Sequence, residues 1–274
     1  MAEEVSHNQL VKGLVWRGAP ALLTLTFTGD AVDAQLDTEA PATAQALQAH
    51  FEAMVTRMLG LTQDVDAFEQ THRRHPALGP LLARQSGLRV PVTSTPFEAL
   101  SWAITGQQIS VQAAVAIRRR MIAACNVRHS SGRLCHPQAT QVLALGEAGL
   151  RDVGFTASKA RTVLAVSAAA QDGSLPLDDW LQHPPDDIGP RLQAIKGIGP
   201  WTVSYALLRG FGRLDGSLHG DVAVRKALGA LLHQGSSSAP APATPQEAEA
   251  WLAPLSPWRA LVAAHLWASL SMSA

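Results

Sequence analysis

The stretch AIKGIGPWTVSY, residues Ala194–Tyr205, joins two apolar segments through a turn that contains Gly197, Gly199 and Pro200. A helix that enters this turn must bend sharply, and glycine supplies backbone angles that residues with a Cβ avoid. Proline fits the first turn of the next helix, where its missing N–H is not needed. The stretch therefore predicts two helices joined by a tight hairpin over about residues 188–210.

The same hairpin is a candidate anion site. Backbone amides at a helix N-terminus favour a negative charge, and glycine lets a nucleic-acid phosphate approach the backbone closely. Lys196 adds a positive charge beside it. We expect a DNA phosphate to bind at Lys196, Gly197, Ile198 and Gly199. An ordinary helical hairpin contains the same residue types, so this pattern alone does not decide the function.

Composition limits the class of protein. The chain has 274 residues, 47% of them hydrophobic, with 22 basic and 22 acidic side chains, so no overall charge points to a nucleic-acid partner. Between residues 191 and 226, however, six basic side chains stand against two acidic ones. No apolar run is long enough to cross a bilayer, and the first residues are acidic and polar. We expect a cytoplasmic protein without membrane association.

Cysteine content argues against two kinds of site. Cys125 and Cys135 are the only cysteines, too few for a disulfide framework or a four-thiolate cluster. We expect two reduced thiols and no metal site.

The hydropathy pattern changes along the chain. Residues 10–16, 21–28 and 31–36 alternate in strand fashion and are separated by turn residues, which predicts a small antiparallel meander. A helix is predicted from about residue 41 to 59. The fold class is therefore mainly α with a small N-terminal antiparallel sheet, divided into a sheet-and-helix lobe at 1–90 and a helical region at 91–274.

Caps mark several later helices. Thr95-Pro96-Phe97-Glu98 is a capping box, and Ser110 caps a helix over residues 111–125. Further helices are predicted near 137–145 and 156–170, and a flexible loop is predicted over 235–243.

Asp221 lies 22 positions beyond Gly199, at the start of a helical segment. Its ordinary role would be that of an N-cap, which aspartate commonly fills. Helix amides also hold a carboxylate in its ionised form, which can stabilise a positive charge opposite it. Trp201 and Tyr205 are four positions apart and share one helix face.

Three separated segments resemble the helix-hairpin-helix DNA glycosylases, and within them the bacterial 3-methyladenine DNA glycosylase II group. They are the hairpin with its sequel, Gly197–Thr202 through Gly220–Asp221; Gly87–Pro91 with Ala103–Val111; and Pro257–Ala260 with His265–Trp267. The resemblance implies a small antiparallel-sheet lobe followed by helical lobes that form a cleft.

The resemblance also assigns roles. It implies that Asp221 is the catalytic carboxylate and that Trp201, Tyr205, Trp267 and Gln107 belong to a pocket for an extruded base. It also implies that Gln107 and Gln108 lie at the duplex. Gln108 matches the residue that fills the gap left in the duplex, where family members often have an apolar side chain. Ala268 and Gly220 also depart from the family, where another aromatic residue and a second aspartate occur.

The function implied is a DNA repair glycosylase that flips out alkylated, cationic purines such as 3-methyladenine and hydrolyses the N-glycosidic bond. Relatives that also cut the DNA backbone carry a lysine where this chain has Trp201, so the abasic site is expected to stay intact. The partner would be double-stranded DNA with damaged bases, bound by a nucleoid-associated monomer. No cofactor is required, and the resemblance implies a monovalent cation at the hairpin.

Two other functions stay open at this point. A non-catalytic helix-hairpin-helix module could bind DNA or damaged DNA with the same salt dependence through the Lys196 hairpin, but it would not require Asp221 and an aromatic pocket. A bifunctional lyase would need a lysine other than the one that its motif lacks.

Overall fold

The computed structural model describes residues 2–40, 44–182, 185–233 and 241–272. Within these residues four β-strands precede twelve α-helices. The strands are β1 (Glu3–Val5), β2 (Gln9–Trp16), β3 (Ala19–Thr28) and β4 (Ala31–Thr38). The helices are α1 (Ala44–Met58), α2 (Val65–His72), α3 (Leu78–Arg84), α4 (Pro96–Gly106), α5 (Val111–Cys125), α6 (Ala139–Asp152), α7 (Ala157–Gln171), α8 (Pro185–Gln193), α9 (Pro200–Phe211), α10 (Val222–Leu232), α11 (Pro245–Leu252) and α12 (Arg259–Met272). The predicted fold class is confirmed.

The sheet is an antiparallel meander in the order β1-β2-β3-β4. Its turn at Arg17–Gly18 has φ values of 49° and 83°, and two positive φ values match the right-handed twist of the flanking strands. Along β3 the alternating residues Ala21, Leu23 and Leu25 are buried. The three predicted strands are confirmed. The structure adds β1, whose three residues are too few to show an alternating pattern.

Most predicted helices are found close to their expected bounds. The helix predicted from about 41 to 59 is α1, although residues 41–43 lie outside the described residues. α5 has the predicted bounds, and α7 is shifted by one residue from its predicted segment. α6 continues past the predicted end at residue 145, across a non-helical backbone at Gly146. Most of the loop predicted at 235–243 lies outside the described residues, which resume at residue 241.

The chain groups into two compact units. The first contains Met1–Val55 and Thr93–Ile198, and the second contains Thr56–Val92 and Gly199–Ala274. The sheet and helices α4 to α8 belong to the first unit, and α2, α3 and α9 to α12 belong to the second. The division at residue 90 that the sequence suggests stays a prediction.

Only half of the predicted capping box at Thr95 forms. The Thr95 hydroxyl accepts a hydrogen bond from the Glu98 backbone N–H at 3.3 Å, and Pro96 begins α4. The Glu98 carboxylate instead binds the Lys12 ammonium at 2.6 Å and the Arg118 guanidinium at 2.8 Å. Two cations attract a carboxylate more strongly than a neutral backbone N–H does. The second hydrogen bond of the predicted box, from the Thr95 backbone N–H to the Glu98 side chain, was therefore predicted wrongly.

Glu98 belongs to a buried ion cluster that connects the sheet to the helices of the first unit. Lys12 on β2 also pairs with Glu3 at 2.5 Å, and Arg118 on α5 also pairs with Glu3 at 2.9 Å. Burial alone would raise the pKa of Glu98, but Lys12, His136 and Arg118 hold it well below its usual range. The cluster thus places two acids against two bases at the N-terminal end of α4.

In the second unit the core surrounds α12. Its residues from Ala260 to Leu266 are buried, and the rings of Phe68 and Trp258 lie 5.9 Å apart. His265 on α12 packs 5.5 Å from Phe68, and its Nδ1 lies 2.7 Å from the Gln85 side-chain oxygen. Trp258 is partly buried and packs against this core.

Both cysteines are reduced. Burial raises the pKa of the Cys125 thiol to about 12, and burial also raises the pKa of Cys135, which is fully buried. Within the described residues, no helix combines the length and the apolar character that a membrane span needs.

Candidate functional site

A glycine turn joins α8 to α9. Gly197 has φ 96°, a value that residues with a side chain rarely adopt, and a Cβ at this position would collide with the Thr162 hydroxyl. Gly199 is the N-cap of α9, and Pro200 is the first residue of that helix. The predicted hairpin is therefore confirmed, and Gly197 is required both by its backbone angle and by its neighbour.

The residues predicted to bind a phosphate differ in exposure. Lys196, Gly197 and Gly199 are exposed, whereas the Ile198 side chain is buried and its N–H donates to the Ile195 carbonyl at 3.1 Å. Ile198 thus holds the turn in place, and Lys196 extends into solvent. Phosphate binding here stays a prediction.

The loop between α4 and α5 holds the two predicted duplex residues. Gln107 caps the C-terminus of α4, and the exposed Gln108 has φ 55°. A left-handed backbone at a residue other than glycine costs about 1–3 kcal/mol and often marks a functional segment. The Gln107 side-chain nitrogen donates to the Gly197 carbonyl at 3.0 Å, so the loop lies against the hairpin within the first unit. Contact of either glutamine with DNA stays a prediction.

In the second unit, Asp221 is the N-cap of α10. Its Oδ1 accepts hydrogen bonds from the backbone N–H groups of Ala223 at 2.9 Å and Val224 at 3.0 Å. The Trp267 indole Nε1 donates to the same oxygen at 3.1 Å. Oδ2 accepts from the Trp201 indole Nε1 at 2.9 Å. Oδ1 therefore has three donors and Oδ2 has one, which leaves Oδ2 with capacity for a further partner.

Three aromatic rings continue from this carboxylate. The rings of Trp201 and Tyr205 lie 5.3 Å apart with planes 32° from parallel, and Tyr205 lies 6.1 Å from Trp267. All three side chains and Asp221 are only partly buried. The structure thus brings together four of the predicted site residues, although their roles stay predictions.

The indole hydrogen bonds are the feature that sequence reasoning missed. Trp201 and Trp267 are predicted to line the base pocket, but each also donates its N–H to Asp221. Trp267 is 46 positions from Asp221, so no local pattern could reveal the pair. Tryptophan usually finds a partner for its N–H when buried, and that general rule was the available signal.

This combination of a sheet, helical units, a glycine hairpin and a carboxylate among aromatic rings is the helix-hairpin-helix DNA glycosylase fold. The structure matches a 3-methyladenine DNA-glycosylase from Archaeoglobus fulgidus with a TM-score of 0.80, covering 97% of this chain and 88% of that chain at 18% identity. The chain belongs to the HhH-GPD superfamily of base excision DNA repair proteins, whose pattern matches residues 101–254. That range includes the loop, the hairpin, Trp201 and Asp221, but it ends before Trp267.

Two curated relatives are similar in sequence. "Probable bifunctional transcriptional activator/DNA repair enzyme AlkA" from Mycobacterium tuberculosis is 29% identical over 225 residues, which cover 80% of this chain and 42% of that protein. "DNA-3-methyladenine glycosylase 2" from Escherichia coli is 27% identical over 193 residues, which cover 70% of this chain and 64% of that protein. The match therefore spans less than two thirds of the length of either relative.

The hairpin carbonyls bear on the cation that the resemblance implies. Carbonyl oxygens are suitable ligands for alkali cations. Those of Lys196 and Gly197 already accept hydrogen bonds from the side chains of Thr162 and Gln107. Each of these oxygens keeps a second lone pair, so the contacts do not exclude a cation, and its presence stays a prediction. In the part of the chain that the structure describes, no group of three His, Cys, Asp or Glu residues could hold a metal ion.

Proposed function

We propose that the protein is a DNA glycosylase that removes alkylated, cationic purines such as 3-methyladenine from double-stranded DNA. The observation that carries the proposal is the Asp221 carboxylate, held by four N–H donors beside three aromatic rings. Membership of a base excision repair superfamily and the names of the two relatives support it.

Recognition would begin with extrusion of the base from the duplex. Unstacking costs a few kcal/mol, and a damaged base lowers that cost. A purine that carries a positive charge is attracted to the face of an indole by roughly 0.5–2 kcal/mol. Trp201 and Trp267 supply indole rings, and Tyr205 supplies a phenol ring, within one unit. Selectivity for cationic bases would then follow from their charge.

Bond cleavage would follow because a cationic base is a good leaving group. The bond between C1′ and the base nitrogen breaks, and its electron pair leaves with the base, which becomes neutral. Asp221 Oδ2, with its remaining capacity to accept, would face the positive charge that develops on the sugar and take a proton from the attacking water. The products are the free base and an abasic site with a hydroxyl group at C1′.

Strand cleavage is not expected. A lyase needs an amine that attacks C1′ to form a Schiff base. In the second unit, which holds Asp221, the sequence contains one lysine, Lys226, and it is exposed. It lies five positions after Asp221 on α10, roughly 140° around the helix. We expect a monofunctional glycosylase that acts as a monomer in the nucleoid.

The test is base release from methylated duplex DNA without added metal, measured by chromatography. Free methylpurine, with strand breaks only after alkali, is the expected result; breaks without alkali would indicate a lyase. Asp221→Asn should lower the single-turnover rate of release by at least about 100-fold, because the neutral amide cannot stabilise the sugar cation. DNA affinity should be retained, since asparagine is as good an N-cap as aspartate.

Asp64→Asn is the matched control. Asp64 caps α2 in the same unit by accepting the Ala67 N–H at 3.0 Å, and it has no contact with the aromatic rings among the described residues. This variant should release bases at the wild-type rate. Wild-type release by Asp221→Asn would refute the catalytic assignment. DNA binding without release by the wild-type protein, over a panel of methylated, deaminated and etheno-modified purines, would favour the non-catalytic module.

A further inference from the structure

Three side chains of the first unit connect the loop at residues 107–110 to the hairpin. They are Gln107, Lys159 and Thr162, and we call them the α7 junction because α7 carries two of them. Lys159 and Thr162 are three positions apart, so they lie on the same face of α7. Lys159 contacts the end of α4, and Thr162 contacts the hairpin turn.

Thr162 holds the turn. Its side chain is buried, and its hydroxyl lies 3.0 Å from the Lys196 carbonyl and 3.1 Å from the Ser158 carbonyl of its own helix. The single hydroxyl hydrogen is therefore shared between the helix and the turn. Because a Cβ at Gly197 would collide with this hydroxyl, the turn and α7 are in direct contact.

Lys159 holds the loop from the other side. Its ammonium donates to the Thr105 carbonyl in the last turn of α4 at 2.8 Å, where a cation also interacts favourably with the helix dipole. Gln107, two residues further on, then donates to the Gly197 carbonyl at 3.0 Å. Loop, helix and hairpin thus form a closed set of contacts among residues that are 34 to 90 positions apart.

We propose that Gln107, Lys159 and Thr162 are positioning residues that couple phosphate binding at the hairpin to entry of the 107–110 loop into the duplex. The loop contains Gln108 in a left-handed conformation, which persists only where surrounding contacts hold it. A phosphate bound at Lys196 would fix the turn, and the junction would fix the loop relative to that phosphate. The inference rests on the proposed function.

The experiment compares Thr162→Val with Thr162→Ser. Valine keeps the volume of threonine but cannot donate to the Lys196 carbonyl, whereas serine keeps the hydroxyl. Thr162→Val should lower the single-turnover rate of base release about 10-fold, the equivalent of one lost hydrogen bond of about 1.4 kcal/mol. It should also weaken the fluorescence increase of 2-aminopurine placed beside the lesion, which reports unstacking. Affinity for undamaged duplex should change less than about two-fold, and Thr162→Ser should restore both signals.

Ser167→Ala is the matched control for stability. Ser167 is buried on the same helix and donates to the Val163 carbonyl at 2.8 Å, without contact to the loop or the hairpin in the described residues. It should lower the melting temperature without changing the release rate. If Thr162→Val releases bases and unstacks DNA like the wild type, the inference is wrong.

Lys159→Met serves if Thr162→Val does not fold, because methionine keeps an apolar stem on a half-buried side chain. A positioning role predicts slower release with an unchanged salt dependence of DNA binding. A phosphate contact would instead reduce the salt slope by about one, and that result would overturn the assignment of Lys159.

Failure of the proposed function is distinguishable from failure of the inference. Were the wild-type protein to release no base, amide hydrogen exchange on undamaged DNA would replace the rate as the readout. The junction then predicts that DNA slows exchange at 107–110 in the wild type and slows it less in Thr162→Val. Equal protection in both proteins would refute the inference whatever the activity.

Discussion

Glu98 in the first unit and Asp221 in the second are both carboxylates at the start of a helix, yet their partners differ in kind. Glu98 is buried against Lys12 and Arg118, which carry full positive charges. Asp221 accepts four N–H groups from neutral donors, and within the described residues it has no ion-pair partner. The charge of Glu98 is neutralised by the fold, whereas that of Asp221 is positioned but not neutralised.

This difference separates a structural carboxylate from a candidate catalytic one. A carboxylate that is paired with cations has little remaining attraction for a cation that forms during a reaction. Dipoles of N–H groups hold a carboxylate in place without cancelling its charge, which is the arrangement that stabilises a charged transition state. The comparison therefore predicts that changes at Glu98 affect stability and changes around Asp221 affect rate.

Among the substitutions that test this comparison, Glu98→Gln should have the largest effect. It leaves Lys12 and Arg118 buried with one acid fewer, and removal of one partner from a buried ion pair costs about 3–5 kcal/mol. Urea unfolding followed by circular dichroism measures this loss. Glu4→Gln is the control, since the Glu4 and Arg133 pair is exposed and should contribute less than about 1 kcal/mol. Similar losses in both variants would contradict the structural role of Glu98.

The free energy of unfolding should fall in acid in two stages. Burial lowers the pKa of His136 and of His265 to about 4, so between pH 6.5 and 4 the unfolded chain binds protons that the folded chain does not. Each of these histidines then costs up to about 1.4 kcal/mol per pH unit. Below pH 4.5 the ion cluster adds to the loss, because the pKa of Glu3 is about 2 despite its burial. Urea midpoints from pH 8 to 4 measure the first stage, and a constant free energy over that range would contradict it.

Trp267→Phe should have the smallest effect and sharpens the comparison on the Asp221 side. Phenylalanine keeps an aromatic ring but removes one of the three donors to Oδ1, so the release rate should fall about 3- to 10-fold with DNA affinity retained. Trp258→Phe is the control, because Trp258 packs on Phe68 and His72 in the core. That variant should lower stability and leave the release rate unchanged. Equal rates for wild type and Trp267→Phe would show that the indole N–H does not position the carboxylate.

Local features of the fold could be predicted from the sequence. The Gly197 turn, the Asp221 cap and the caps at Thr95 and Ser110 each depend on residues within a few positions, and all four are present. Alternation along β3 and β4 is equally local. Such elements follow from backbone preferences and hydropathy, which act over one or two turns.

Contacts between distant residues could not be predicted. Lys12 and Glu98 are 86 positions apart, and Gln107 and Gly197 are 90 apart. Glu98 shows the consequence, because its local pattern indicated a capping box while two distant cations determined where its carboxylate points. For the same reason the sequence could bring Trp267 and Asp221 together only through resemblance to a family, and never through spacing.

Burial of the two thiols affects their reactivity toward alkylating agents. A thiolate is the nucleophile that electrophiles attack, and burial keeps Cys125, with a pKa of about 12, and Cys135 in the protonated form at neutral pH. Methylating agents that modify purines react with thiolates by the same substitution chemistry. We therefore expect these two thiols to react slowly with the reagents that would create the proposed substrates.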